Sequence, residues 1–200
     1  EGARVLEGVA FARHFDTLMG AFEGGMRFLG ADLSTAYLMG VTGHAFRICV
    51  ADSLTPEGPM WIDLARMLEL YQNLGYAVRL ISAQEEDAHF GDKQQEAWEA
   101  IRGSIDRGVP AIARFGRFFW IIKGYHPKRE EYYTAAFMPG MEEPVAIDEL
   151  GTDDQAAGAL AVLILGEQHP VDAKEAERSS LQFAVDWAQR EDDPGGPVSY

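Results

Sequence analysis

Five histidines, one cysteine and a small set of hydroxyls and carboxylates bound the chemistry this chain could perform. His14, His44, His89, His126 and His169 show no i,i+2 or i,i+4 pairing, the spacings that bring two imidazoles to one metal ion, so no metal site is expected from them. Glu85, Glu86, Asp87, His89 and Asp92 form an acidic run whose oxygens could hold a hard cation; a solvated loop is the simpler reading. His14, Asp16 and Glu23 are candidates for acid–base work, which needs an imidazole near neutrality with a carboxylate beside it. Asp16 and Glu23 stand two helical turns apart and so share a helix face, although Asp16 is also a natural N-cap. A buried Glu23 would need a partner or a proton. His44 is a further candidate, but along a strand it lies about 17 Å from Cys49. Cys49 itself, in an apolar run from Ala45 to Ala51, reads as a small buried hydrophobe. Gly40-Val41-Thr42-Gly43-His44 lacks the Gly-Lys-Ser/Thr of a phosphate loop, and the chain has no dinucleotide fingerprint, so no cofactor is expected.

The elements that must position these groups follow from periodicity. Residues 1–14 read as extended. Asp16 caps a helix from Thr17 to Leu29, ended by Gly30, with Leu18, Phe22, Met26 and Leu29 on its apolar face. Its three glycines, Gly20, Gly24 and Gly25, weaken the helix and point to close backbone packing. A short helix capped by Asp32 or Ser34 reaches Met39, and Phe46–Val50 reads as a strand. Pro59 opens an amphipathic helix carrying Trp61, Leu64, Ala65, Leu68 and Tyr71 and closed by Gly75. Tyr76–Ala83 alternates as a strand, Gln84–Lys93 is a polar loop, and Gln94–Arg107 is a helix. Pro110–Phe115 and Phe118–Tyr125, separated by Gly116-Arg117, predict a type II′ hairpin. A third strand runs from Glu131 to Met138 and another from Ala159 to Leu165. The last helix starts at Asp172 and reaches Arg190, with Leu181, Ala184, Val185 and Ala188 on one face. Helices first and a strand meander after them predict an α+β fold with a largely antiparallel sheet and a C-terminal helix.

Composition narrows the function classes. With 200 residues, 47% hydrophobic and 24% charged, the chain is long enough for a sizeable core and is neither disordered nor a disulfide scaffold. The formal net charge of −15 argues against a nucleic-acid or anionic-membrane surface. Residues 1–138 hold 14 Lys+Arg against 18 Asp+Glu, whereas residues 139–200 hold 3 against 14. Arg102, Arg107, Arg114, Arg117, Lys123, Lys128 and Arg129 make a locally basic stretch that reads as ordinary surface charge. The lone cysteine, with neither a signal peptide nor a 20-residue apolar span in the sequence, predicts a cytoplasmic protein.

Phe28-Leu29-Gly30, Leu74-Gly75-Tyr76, the run Asp106-Arg107-Gly108-Val109-Pro110-Ala111-Ile112 and the run from Trp120 to Tyr125 resemble, in order and spacing, landmarks of a papain-like family. That family is the bacteriocin-leader-peptidase type, with its relative, the butirosin-biosynthesis acyltransferase N-terminal family; the likeness covers roughly residues 8 to 140. The resemblance implies a papain-like α+β core over residues 1–150, with residues 151–200 as an acidic strand–helix extension of the same domain. It also implies a Cys nucleophile at the start of the first helix, a His at the start of the Gly-Tyr strand and an Asp or Asn on the next strand. Here the nucleophile position falls at Thr17, among Asp16, Leu18 and Met19. The base falls at Phe118 or Phe119, and the third group at Thr134 or Ala135. All three depart from the pattern, and a Thr17 nucleophile would lack a base. The expectation is therefore a pseudo-peptidase that binds a small molecule or peptide in the degenerate cleft, lined by Thr17, Met19, Phe118, Phe119 and Trp120. Two alternatives stand beside it. One is a hydrolase or acyltransferase with a non-standard site around His14, Asp16, Thr17, Glu23 and His44. The other is a homodimeric partner-binding module using Phe183 and Trp187 of the last helix.

Overall fold

A computed structural model of the protein describes residues 2–49, 62–138, 140, 142, 144–152 and 158–189. Among these residues the class is α+β, with five α-helices and a mostly antiparallel open sheet. The chain groups into two compact units, each drawn from two stretches: Glu1–Leu33 with Val78–Gly166, and Ser34–Ala77 with Glu167–Tyr200.

The first unit holds the sheet, save the first two residues of β2 and the last two of β7. Its strands are β1 (Arg4–Val5), β2 (Tyr76–Gln84), β3 (Ala111–Phe115), β4 (Phe118–His126), β5 (Glu131–Ala135), β6 (Val145–Ala146) and β7 (Ala159–Gln168). Their order is β2-β7-β3-β4-β5-β6, with β1 beside β4. The predicted hairpin is present: Phe115 faces Phe118, and Gly116 takes φ 56°, the left-handed value a II′ turn asks of its first central residue. The third strand is shorter than expected, ending at Ala135.

Helix α4 (Phe90–Asp106) covers one face of the sheet. It begins four residues before the predicted start at Gln94, inside the segment read as loop, with Asp92 in its first turn. Trp98, Ile101 and Ile105 bury against Ala111, Ala113, Ile122, Tyr125 and Tyr132. Each such side chain contributes about 1.5–3 kcal/mol on leaving water. Four polar atoms lie buried on β4 and β5 with no hydrogen-bond partner among the described residues: Trp120 Nε1, Glu131 Oε2, the Tyr132 hydroxyl and the Thr134 hydroxyl.

Helix α1 (Thr17–Phe28) lies in the same unit, as predicted, with Asp16 accepting from the Leu18 and Met19 amides at 2.9 and 3.2 Å. Its glycines are the contact surface. The extended segment before the helix doubles back over it, and Ala12 N–H donates to the Gly20 carbonyl at 3.2 Å. A Cβ on Gly20 would sit 2.6 Å from the Ala12 carbonyl, and one on Gly24 would collide with the Ala10 carbonyl oxygen.

The second unit contains α2 (Thr35–Val41), capped by Ser34, α3 (Leu64–Tyr71), capped by Asp63, and α5 (Ala173–Gln189). Pro59 and Trp61, assigned to the amphipathic helix, lie outside the described residues, as does Val50. The expected strand at Phe46 is instead a 3₁₀ turn, His44–Phe46, because His44 is drawn inward to hydrogen-bond Tyr71 at 3.1 Å. On α5 the buried face is Ala176, Ser180, Phe183 and Trp187, not the predicted one. Leu181 and Val185 are 57% and 48% exposed. The aromatic pair wins the interior: Phe183 and Trp187 lie 5.4 Å apart, Trp187 Nε1 donates to the Ile48 carbonyl, and the Arg66 guanidinium caps the Trp187 ring.

The glycine contact makes a paired prediction. Gly24→Ala should cost about 2–3 kcal/mol through forced displacement of the Ala10 backbone. Gly25→Ala, whose Cβ would meet nothing nearer than Pro110 Cγ at 3.8 Å, should raise stability by about 1 kcal/mol through helix propensity. Urea unfolding of both variants measures this, and equal midpoints would refute the close approach. The buried Tyr132 hydroxyl makes another. Burial pushes its ionisation above the ordinary tyrosine range. A raised folded-state value means its share of stability is intact below about pH 10 and is lost as pH rises beyond that. Tyr132→Phe should therefore flatten the alkaline fall in the urea midpoint, and at pH 7 should add about 1 kcal/mol by removing an unpaired buried hydroxyl.

Candidate functional site

The N-terminus of α1 is the position at which the resemblance would put chemistry. Asp16 places its carboxylate over the first turn, where free amides and the helix dipole favour negative charge. Its backbone N–H donates to His14 Nδ1 at 3.1 Å. Thr17 Oγ1 accepts from the Phe119 N–H at 3.0 Å, tying the helix start to the second residue of β4. The structure thus brings His14, Asp16, Thr17 and Phe119 together. Among the described residues no imidazole, carboxylate or amine hydrogen-bonds Thr17 Oγ1. Glu23 points elsewhere, paired with Arg27 at 2.7 Å one turn along the helix. His44 belongs to the second unit.

An open cleft of about 810 Å³ lies beside this point, within the first unit. Its walls are the extended segment with Val9, Ala10, Phe11, Arg13 and His14, the β4 residue Lys123, and the stretch after β5 with Ala136, Phe137, Met138, Gly140 and Glu142. The size suits a small organic ligand. Aromatic rings form the floor: Phe137 meets Phe11 at 6.4 Å and Phe118 at 4.6 Å between centroids. Phe15, whose ring is tilted against that of His14 at 4.7 Å, is 86% exposed. Lys123 Nζ reaches Glu142 at 3.7 Å.

None of the five expected cleft residues, Thr17, Met19, Phe118, Phe119 and Trp120, lines this cleft. Phe118 packs on Phe137, which does. Met19 is fully buried. Phe119 is buried and contributes its backbone N–H to Thr17. Trp120 shares a sheet face with Ile122 and rings against Phe115 at 5.0 Å. Thr134 and Ala135, at the third-group position, are buried in β5. Reading the sequence by motif missed Phe11, Arg13, Phe137, Met138 and Glu142. The signal for Phe11 and Arg13 was their place just before the N-cap, opposite the glycine face. Phe137 and Met138 end an apolar strand run. Cys49 is buried, as expected of a small hydrophobe. Across the acidic run, His89 and Asp92 pair at 3.2 Å on an exposed surface. Among the described residues no three His, Cys, Asp or Glu side chains converge as a metal-ligand set, and no helix is long and apolar enough to cross a membrane.

The Thr17 hydroxyl acts here as a structural acceptor. Thr17→Val keeps the shape and removes that acceptor from the Phe119 amide; it should lower stability by about 1 kcal/mol, with Thr17→Ser retaining most of it. Chemical denaturation of the two variants measures the difference, and a Thr17→Val protein as stable as wild type would refute the role.

No protein-family model matches this chain, and no curated protein matches its sequence.

Proposed function

We propose that the protein is a papain-like pseudo-peptidase that binds a small molecule or peptide in the cleft beside the α1 N-terminus, without acyl-transfer chemistry. One observation carries the reading: Thr17 Oγ1 sits 3.0 Å from the Phe119 amide. The resemblance puts a nucleophile at Thr17 and its base at Phe118 or Phe119, so the two positions adjoin as that family's mechanism requires. Between them here is a backbone hydrogen bond instead of a thiol–imidazole pair. The carboxylate of Asp16 over the same helix turn also disfavours a nucleophilic anion at this point, since two negative charges there repel. What remains is a cleft with an aromatic floor and a polar rim. The buried lone cysteine suits a reducing compartment such as the cytoplasm.

The alternative readings draw less support. For a hydrolase, Asp16 is engaged as a cap and Glu23 as a partner of Arg27, and among the described residues no carboxylate hydrogen-bonds His14. For a dimer held by Phe183 and Trp187, both rings are buried within their own unit.

A neutral environment-sensitive dye, 1-N-phenylnaphthylamine, tests the cleft. One equivalent should bind with enhanced fluorescence, and Phe137→Ala should weaken it about tenfold through lost apolar contact. Circular dichroism checks the fold of the variant, and Phe11→Ala provides a second wall. Dye binding indifferent to both changes would move the site elsewhere. Hydrolysis of a p-nitrophenyl ester faster by wild type than by Thr17→Ala would overturn the non-catalytic reading.

A further inference from the structure

The cleft's charge does not resemble that of the whole chain. The protein has 32 acidic and 17 basic residues, and six arginines of the described part pair with carboxylates: Arg4, Arg27, Arg79, Arg102, Arg129 and Arg178. Arg13, on the cleft wall, has neither an ion-pair nor a hydrogen-bond partner among the described residues, despite the twofold excess of acids. The other cation of the cleft, Lys123, is compensated by Glu142 at 3.7 Å. Among the described residues that line the cleft, Arg13 is therefore the uncompensated positive charge, a planar fork whose geometry fits a carboxylate through two parallel hydrogen bonds.

His14 adds a directed donor. Its Nδ1 accepts the Asp16 backbone N–H at 3.1 Å, so the neutral ring carries its proton on Nε2. The amides of α1 are not available for the same task, because the Asp16 carboxylate already accepts from Leu18 and Met19. An anion in this cleft is thus received by side chains rather than by the helix terminus. Around it the lining is apolar: Val9, Phe11, Ala136, Phe137 and Met138.

We infer that the occupant is a small amphipathic carboxylic acid, its carboxylate held by Arg13 and His14 Nε2–H and its apolar body laid on Phe11, Phe137 and Met138. This inference rests on the cleft being the binding site. One unmatched cation fits a single negative charge better than a phosphate dianion. Arg13 is exposed whereas Val9 and Ala136 are buried, which gives the ligand a direction, with the charged head outward and the apolar body inward.

Displacement of bound 1-N-phenylnaphthylamine by dodecanoate, 1-dodecanol and dodecyl phosphate, each below its micellar concentration, tests the inference. Dodecanoate should displace the dye at about tenfold lower concentration than dodecanol, the gain expected of one charge-assisted pair. In Arg13→Gln the ratio of the two should fall close to one, and Arg13→Lys should give an intermediate ratio. Reading the ratio within each variant cancels any change in dye affinity. Equal displacement by the acid and the alcohol in the wild type would overturn the carboxylate while leaving the cleft reading intact. A preference that survives Arg13→Gln would overturn the role of Arg13. Dodecyl phosphate outcompeting dodecanoate would overturn the single-charge match. Failure of the dye to bind at all would remove the cleft reading, and this inference with it.

Discussion

The architecture of the candidate site depends on one contact: the backbone of the extended N-terminal segment lying directly on the backbone of α1. It is allowed because Gly20 and Gly24 present no side chain at the two points where Ala12 and Ala10 cross. That contact sets the height of the segment above the helix and hence where Phe11, Arg13 and His14 stand. The Ala12–Gly20 hydrogen bond holds the segment at one end, and Leu6 N–H donating to the Lys123 carbonyl holds it at the other. A strap pinned at both ends and seated on glycine can form a firm cleft wall without being a paired strand along its whole length. Glycines that lower the intrinsic stability of the helix thus set the position of its neighbour.

The same helix shows how one turn can be assigned to structure or to chemistry. Free amides at a helix N-terminus attract negative charge. In this chain Asp16 supplies that charge from within, and Thr17 directs its hydroxyl to the β4 backbone. Both groups are engaged in holding the fold.

Much of the fold was legible in the sequence, and the reasons differ by element. Asp16, Ser34 and Asp172 announced their helices because capping is local: the side chain bonds amides two or three residues on. The hairpin was legible because a two-residue turn opening with glycine admits few geometries. The misreadings came where distant packing decides. The α5 stripe of Leu181 and Val185 has better apolar periodicity than the face carrying Ser180, Phe183 and Trp187, yet the larger rings take the interior. Phe46–Val50 has strand propensity, but Phe46 ends a 3₁₀ turn whose His44 makes a long-range bond to Tyr71, and residues 47–49 form no strand. The sequence named Thr17 and Phe119, which the structure joins by a hydrogen bond, but not the residues that line the cleft. Arg13 and Phe137 are far apart in sequence, carry no motif and meet only through the strap and the end of β5.

The sheet order carries a consequence for how the protein is made. β7 is the last strand along the chain, yet it lies between β2 and β3 in the interior of the sheet. As the polypeptide leaves the ribosome, β3, β4 and β5 can zip as a local meander, since neighbours in sequence pair at once. β2 and the inner edge of β3 must then wait, with unpaired amides, until the run Leu160–Leu165 arrives. Insertion of a late, strongly apolar strand between two waiting edges is a slow, non-local step, during which a nascent chain is open to pairing with a neighbour. The strand that completes the sheet is also the one whose delay would expose it most.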